Sequence, residues 1–175
     1  PSIQSIDAME DWLSPLVEAK KEQMRLDIAA GRSTSVVVNV PIIFHVITGT
    51  ASDASNINAI YVNAQIDQLN KDFNNLAGST NPVAYSADIN FIPAVVDPSG
   101  NQLAEPGIDR VTGYPGTLST NDFDNTIKPA TIWDRSLYAN VWTGDLSGGL
   151  LGYAQFPSNS TLNGFPANGG SALTD

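Results

Sequence analysis

The chain has 175 residues, 42% apolar and 15% charged, with eight Lys and Arg against eighteen Asp and Glu and a net charge of −10. That size suits one soluble domain, which on folding removes roughly 70% of its unfolded surface from water, and the composition excludes a disordered polyelectrolyte. No apolar run approaches the roughly 20 residues of a bilayer span, and the negative charge argues against nucleic acid and anionic membranes as partners. The absence of cysteine excludes disulfides and thiolate metal sites while leaving export open. Low charge with abundant Asn, Ser, Thr and Gly resembles exported proteins. Pro1 is not an initiator residue, so removal of an upstream signal or pro-segment is expected.

Met9, Leu13, Leu16, Val17, Met24 and Ile28 recur at three- and four-residue steps and predict a packing helix in the first 33 residues. Asp7 and Glu10 suit its start, Ser14-Pro15 a restart or kink, and Gly31 its stop. From 35 to 47 the period becomes two. Val36, Val38, Val40, Ile42, Phe44 and Val46 share one face, and Val37, Asn39, Pro41, Ile43, His45 and Ile47 the other, so a long strand covered on both sides is expected. Pro41 cannot donate to a ladder and implies a bulge or a local edge.

Val62, Ile66, Leu69, Phe73 and Leu76 then predict a helix over about 57–76, stopped by Gly78. A strand over about 88–96 ends at the turn Asp97-Pro98-Ser99-Gly100. Strand, helix and strand so joined imply a crossover with parallel pairing, hence an α/β (α+β) fold with a mostly parallel sheet and two long helices. The stretch 105–129 has little periodicity and reads as a surface crossing. Strands are expected over 137–142 and 152–156, and 157–175 reads as loop.

A hydrolytic zinc site needs three protein ligands and an open position, and this chain has one histidine and no His-Glu-x-x-His pattern. His45, mid-strand, reads first as a structural, hydrogen-bonded residue, with a chemical role as the alternative. No Gly-x-Ser-x-Gly elbow, phosphate loop or dinucleotide fingerprint occurs. The loop Asn121-Asp122-Phe123-Asp124-Asn125 offers oxygens suited to calcium, against the plainer reading of a solvated loop or helix start. Tyr138, Trp142 and Tyr153 could line a sugar groove, although strand aromatics more often belong to the core.

Six strings taken in order resemble the pappalysin (cytophagalysin) family of metzincin metallopeptidases. They are Val-Pro-Ile-Ile-Phe-His-Val-Ile at 40–47, Ala-Gln-Ile-Asp-Gln-Leu-Asn-Lys-Asp-Phe at 64–73, Ala-Asp-Ile-Asn-Phe at 87–91 with Asp97 to Gly100, Pro-Gly-Ile-Asp-Arg at 106–110, Trp133 with Tyr-Ala-Asn-Val-Trp at 138–142, and Gly-Tyr-Ala-Gln-Phe-Pro at 152–157. The resemblance implies a twisted, mostly parallel sheet with an antiparallel edge strand, forming the upper subdomain of a metzincin-like catalytic domain over a cleft with zinc at its floor. Residues 34–175 would be that subdomain and 1–33 a helical preface. The zinc ligands, the catalytic glutamate and the methionine turn are expected beyond Asp175, so neither catalytic nor metal-binding residues are expected in this chain. Gly152, Tyr153, Ala154, Gln155 and Phe156 would be the edge strand to which an extended substrate adds through main-chain bonds, an ordinary edge strand being the alternative. Two departures stand out: relatives often carry a cysteine where this chain has Thr143-Gly144, and the family's inhibitory pro-segment cysteine is missing, which fits a chain starting after activation.

The expectation is therefore the N-terminal half of a secreted zinc endopeptidase, working by metal-activated water once joined to its C-terminal half. Calcium is a second cofactor the sequence allows, and a protein or peptide is the expected substrate. The alternative is a non-catalytic peptide- or glycan-binding module.

Overall fold

The computed structural model describes residues 3–32, 37–82 and 84–154, and the chain divides into two compact units, 1–36 with 154–175 and 37–153. In the first unit, helix α1 (Ile3–Ala29) runs through Pro15 without the expected restart. The proline removes one bond to the carbonyl of Asp11, which is exposed and open to water. The expected stop at Gly31 holds. Gly31 takes φ +70, its N–H donates to Ile28 and that of Arg32 to Asp27, and this paired closure satisfies two of the helix's last carbonyls.

The second unit contains β1 (Val38–Ile47), α2 (Ala59–Phe73), β2 (Ile89–Pro93), β3 (Ile108–Val111), the short helices α3 (Thr120–Asp122) and α4 (Lys128–Thr131) joined by a π-helical turn (Phe123–Ile127), and β4 (Ala139–Thr143). Its sheet is parallel throughout, and β1 pairs with all three other strands. The α+β class with a mostly parallel sheet and two long helices is therefore observed. The antiparallel edge strand was expected over 152–156; residues 152–154 carry no strand, and Gln155 and Phe156 lie outside the described residues.

One strand can have three partners because two share an edge. Val38 and Phe44 donate to Asp88 and Gly107, and Ile42 accepts from Ala94. The peptide groups of even-numbered residues thus face β2 and then β3 along one edge, while β4 pairs with 42–46 from the opposite edge. Pro41, odd-numbered, turns its missing N–H toward the β4 side one residue before that pairing begins. The local edge expected at Pro41 is thereby explained.

Both faces of β1 are covered over 42–47, as the alternation predicts, whereas Val37 and Val38, expected under cover as well, are half exposed. Ile42, Phe44 and Val46 pack with Val62 and Ile66 of α2 and Ile108 of β3. Ile43 packs with Ala94 and Trp133, and Ile47 with Phe123 and Ile127. Each such side chain contributes about 1.5–3 kcal/mol when withdrawn from water. Asn70 adds a polar tie between α2 and β2, accepting from the Phe91 N–H at 2.7 Å and donating to its carbonyl at 3.0 Å.

Helix α2 starts at Asn58, whose side chain accepts from the Ile60 N–H, and ends before the predicted Gly78. Asn75 takes φ +54, Leu76 donates to Lys71 and Asn75 to Asp72. Asparagine tolerates the left-handed conformation and closes the helix three residues before the glycine. The turn at 97–100 forms as expected. Gly100 has φ +85, and the Asp97 carboxylate accepts from the side chain of Asn101 and the backbone of Asn101 and Ser99, bonds that hold its pKa below the usual aspartate value.

The predicted surface crossing over 105–129 is largely exposed over 112–122 but enters the core at both ends. It holds β3 and the buried Phe123 and Ile127. The π-turn is where the periodicity breaks, since Lys128 donates to Phe123 five residues back. The wide turn moves carbonyls away from the ring of Pro129, which an ordinary helix would crowd. At Gly144 a Cβ would lie 2.9 Å from the Phe123 ring, so any side chain there would displace Phe123.

Arg110 locks the end of β3 to the entry of α2. It forms a two-pronged ion pair with Glu105 and donates to the Asn56 side chain and the Ile57 carbonyl. The guanidinium bonds hold the Glu105 carboxyl below its usual range. A depressed folded-state pKa stabilises above the unfolded value and is lost as pH falls through the folded one. Glu105→Gln is therefore expected to lower stability at neutral pH and to flatten its decline on acidification, measured by urea unfolding across that range. Ile66→Ala should cost about 3 kcal/mol in the same assay at neutral pH, because the site lies under β1 and cannot collapse freely.

Candidate functional site

In a parallel sheet, residues in register point to the same face, and the register sets His45 beside Asp109 on β3 and Trp142 on β4. His45 is fully buried. Its Nδ1 lies 2.9 Å from Asp109 Oδ2 and its Nε2 2.9 Å from Asn140 Oδ1. Asn140 is oriented by three further bonds: Oδ1 accepts from the Trp133 N–H, and Nδ2 donates to the Trp133 and Tyr138 carbonyls. An oxygen therefore faces Nε2, which must carry hydrogen. Nδ1 in turn lies against the Asp109 carboxylate, so both ring nitrogens are engaged. The ring stacks on Trp142 at 5.1 Å and meets Trp133 edge-on at 5.9 Å. Of the two sequence readings of His45, the structural one is seen.

Trp142 links this network to a second one. Its indole N–H donates to Thr131 Oγ1 at 2.9 Å, and Lys128 Nζ lies 5.6 Å from its ring. Lys128 is buried and pairs with Asp124 at 2.6 Å. The same carboxylate oxygen accepts the Tyr153 hydroxyl at 2.8 Å, and Lys128 Nζ sits 4.4 Å over the Tyr153 ring. Trp142 and Tyr153 thus pack around a buried ammonium rather than lining an open groove, and Tyr138 packs edge-on against Trp133.

Tyr153 belongs to the predicted substrate-binding segment. Gly152 and Ala154 are exposed, and Tyr153 keeps 38% of its surface. The backbone bond from Leu150 to Ser147 is the last among the described residues, so the peptide groups of 151–153 have no main-chain partner there. Main-chain recognition of an extended peptide requires peptide groups that are free to pair.

The acidic loop considered for calcium is helical. Asp122 closes a capping box with Ser119, and its pKa is lowered by those bonds. Asp124 serves Lys128 and Tyr153. Among the described residues no group of three or more His, Cys, Asp or Glu could hold a metal ion. Zinc's requirement for three donors is therefore not met there, and no step through a metal is derived from these residues.

Sequence reasoning took Asp124 only as a calcium oxygen and gave no role to Asp109 or Lys128. Asp109 lay in a stretch read as loop, and only strand register brings it to His45. Asp124 and Lys128 are four apart, a helical spacing, but Pro129 masked the helix. His45→Leu is expected to cost about 2 kcal/mol by urea unfolding, since Asp109 and Asn140 would each lose a partner.

No protein-family model matches the chain, and no curated protein matches it. Solved structures do. Mature mirolysin of Tannerella forsythia in complex with a cleaved peptide matches at 32% identity and TM-score 0.60, over 70% of this chain and 48% of that one. Mirolysin in complex with a small compound matches at 33% and 0.59, with the same coverage of 70% and 48%. A Tannerella forsythia promirolysin mutant matches at 28% and 0.57, over 85% of this chain and 51% of that one. The chain thus spans about half the length of the solved structures it matches. Its mostly parallel α+β fold matches that of the mirolysin catalytic domain, and the likeness supports a metallopeptidase fold and a relationship to peptidases.

Proposed function

We propose that this chain is part of the catalytic domain of a secreted, zinc-dependent endopeptidase of the pappalysin type, and that Gly152, Tyr153, Ala154, Gln155 and Phe156 receive the main chain of a peptide substrate. The observation that carries the reading is the match to a mirolysin structure that contains a cleaved peptide, at 32% identity and TM-score 0.60. The peptide groups at 151–153, without a main-chain partner among the described residues and tied through Tyr153 to Asp124, support the substrate-binding part. On this reading the zinc ligands and the general base belong to a C-terminal half outside this sequence, and zinc supplies the activation of water for attack on the peptide carbonyl. Export is supported only by the low-charge composition.

The test uses the full-length protein. Zinc bound in stoichiometric amount, together with chelator-sensitive cleavage of a quenched fluorescent peptide library, is the expected outcome. A zinc-loaded full-length protein that cleaves no peptide overturns the endopeptidase reading, and if it still binds peptide the non-catalytic module takes its place. Residues 1–175 alone with added zinc should show no turnover, and chelator-insensitive turnover by them would refute the assignment.

A further inference from the structure

Among the described residues, 151–153 make no main-chain bond, yet one side chain in this candidate substrate segment is fixed at two points. The Tyr153 hydroxyl donates to Asp124 Oδ1 at 2.8 Å, and its ring lies over Lys128 Nζ at 4.4 Å. Both partners come from one helical turn, four residues apart, and are themselves paired at 2.6 Å. Lys128 is 6% exposed, and it too approaches the Trp142 ring that stacks on the fully buried His45. The anchor is thus continuous with the core.

We infer that Asp124 and Lys128 are positioning residues for peptide binding, holding Tyr153 so that the peptide groups of 151–153 stand ready for a substrate main chain. The inference rests on the proposed peptidase function and deepens it. An edge segment without its own ladder loses conformational freedom when a peptide pairs with it, at a cost to affinity. A side-chain anchor pre-orders the segment and removes part of that cost. An ammonium packed between aromatic faces and a carboxylate suits the task, because its partners come from three elements and none can move without uncovering charge. Burial first, and then the bond to Asp124, push the Tyr153 hydroxyl above the ordinary phenol range, so it remains a donor through the physiological range.

The effect should fall on binding rather than on chemistry. In the full-length protein, with the best-cleaved peptide of a quenched fluorescent library as probe, Tyr153→Phe removes the Asp124 bond but keeps the ring over Lys128. It should raise KM by about fivefold to tenfold while kcat stays within about twofold. Tyr153→Leu removes both attachments and should raise KM further, with the melting temperature close to that of the parent because Tyr153 is more than a third exposed. Lys128→Arg, which keeps the charge at the anchor, should lie nearer the parent than Tyr153→Leu. A parent that cleaves peptide beside a Tyr153→Leu variant with unchanged KM, or with a loss confined to kcat, overturns the positioning role and leaves the peptidase reading intact. A parent that cleaves no peptide overturns that reading and this inference with it.

Discussion

Residues 42–47 of β1 have hydrogen-bonded partners along both edges and packed layers over both faces. A strand so enclosed has no route by which water can satisfy a stray polar group, so every such group must find a partner inside. His45 is the point at which the requirement bites. An imidazole at zero exposure is tolerated because β3 supplies Asp109 and β4 supplies both Trp142 and, two residues earlier, Asn140. Asn140 in turn holds the Trp133 segment through that residue's N–H and carbonyl. One buried polar side chain therefore sets the relative placement of three strands and a connecting loop.

The same geometry extends outward. Trp142 stacks on His45 on one side and reaches Thr131 and Lys128 on the other, and Lys128 with Asp124 holds Tyr153. The path runs from a fully buried residue of the sheet to the exposed segment 151–153, whose peptide groups have no main-chain partner among the described residues. Side chains on rigid elements hold their geometry better than those on loops, so Tyr153 is fixed by partners that are themselves fixed.

What could be read from the residues depended on how regular each element is. β1 was legible because ten residues alternate, one set wholly apolar and the other mostly so, and α2 because Val62, Ile66 and Leu69 repeat at helical spacing. β3 was not, because only four residues pair and its middle two, Asp109 and Arg110, are polar. They are polar for reasons visible only in three dimensions, as partners of His45 and Glu105. The helical turns around Phe123 and Ile127 were hidden by Pro129 and by a π-turn that departs from the ordinary helical period. The end of α2 was placed at Gly78 because glycine is the usual left-handed residue, and Asn75 took that role first.

The sequence by itself determined the alternation of β1, the apolar face of α2, the parallel crossover joining β1 to β2, and the turn at Asp97. The periodicities and the turn are dictated by neighbours within a helical turn or a pleat of the chain, and the crossover follows from their order. Only the tertiary structure decided that Asp109 meets His45 across 64 residues and that Tyr153 meets Asp124 across 29. Such contacts are selected by strand register and by the exclusion of water from a closed core, which act between segments and leave no periodic trace in either one.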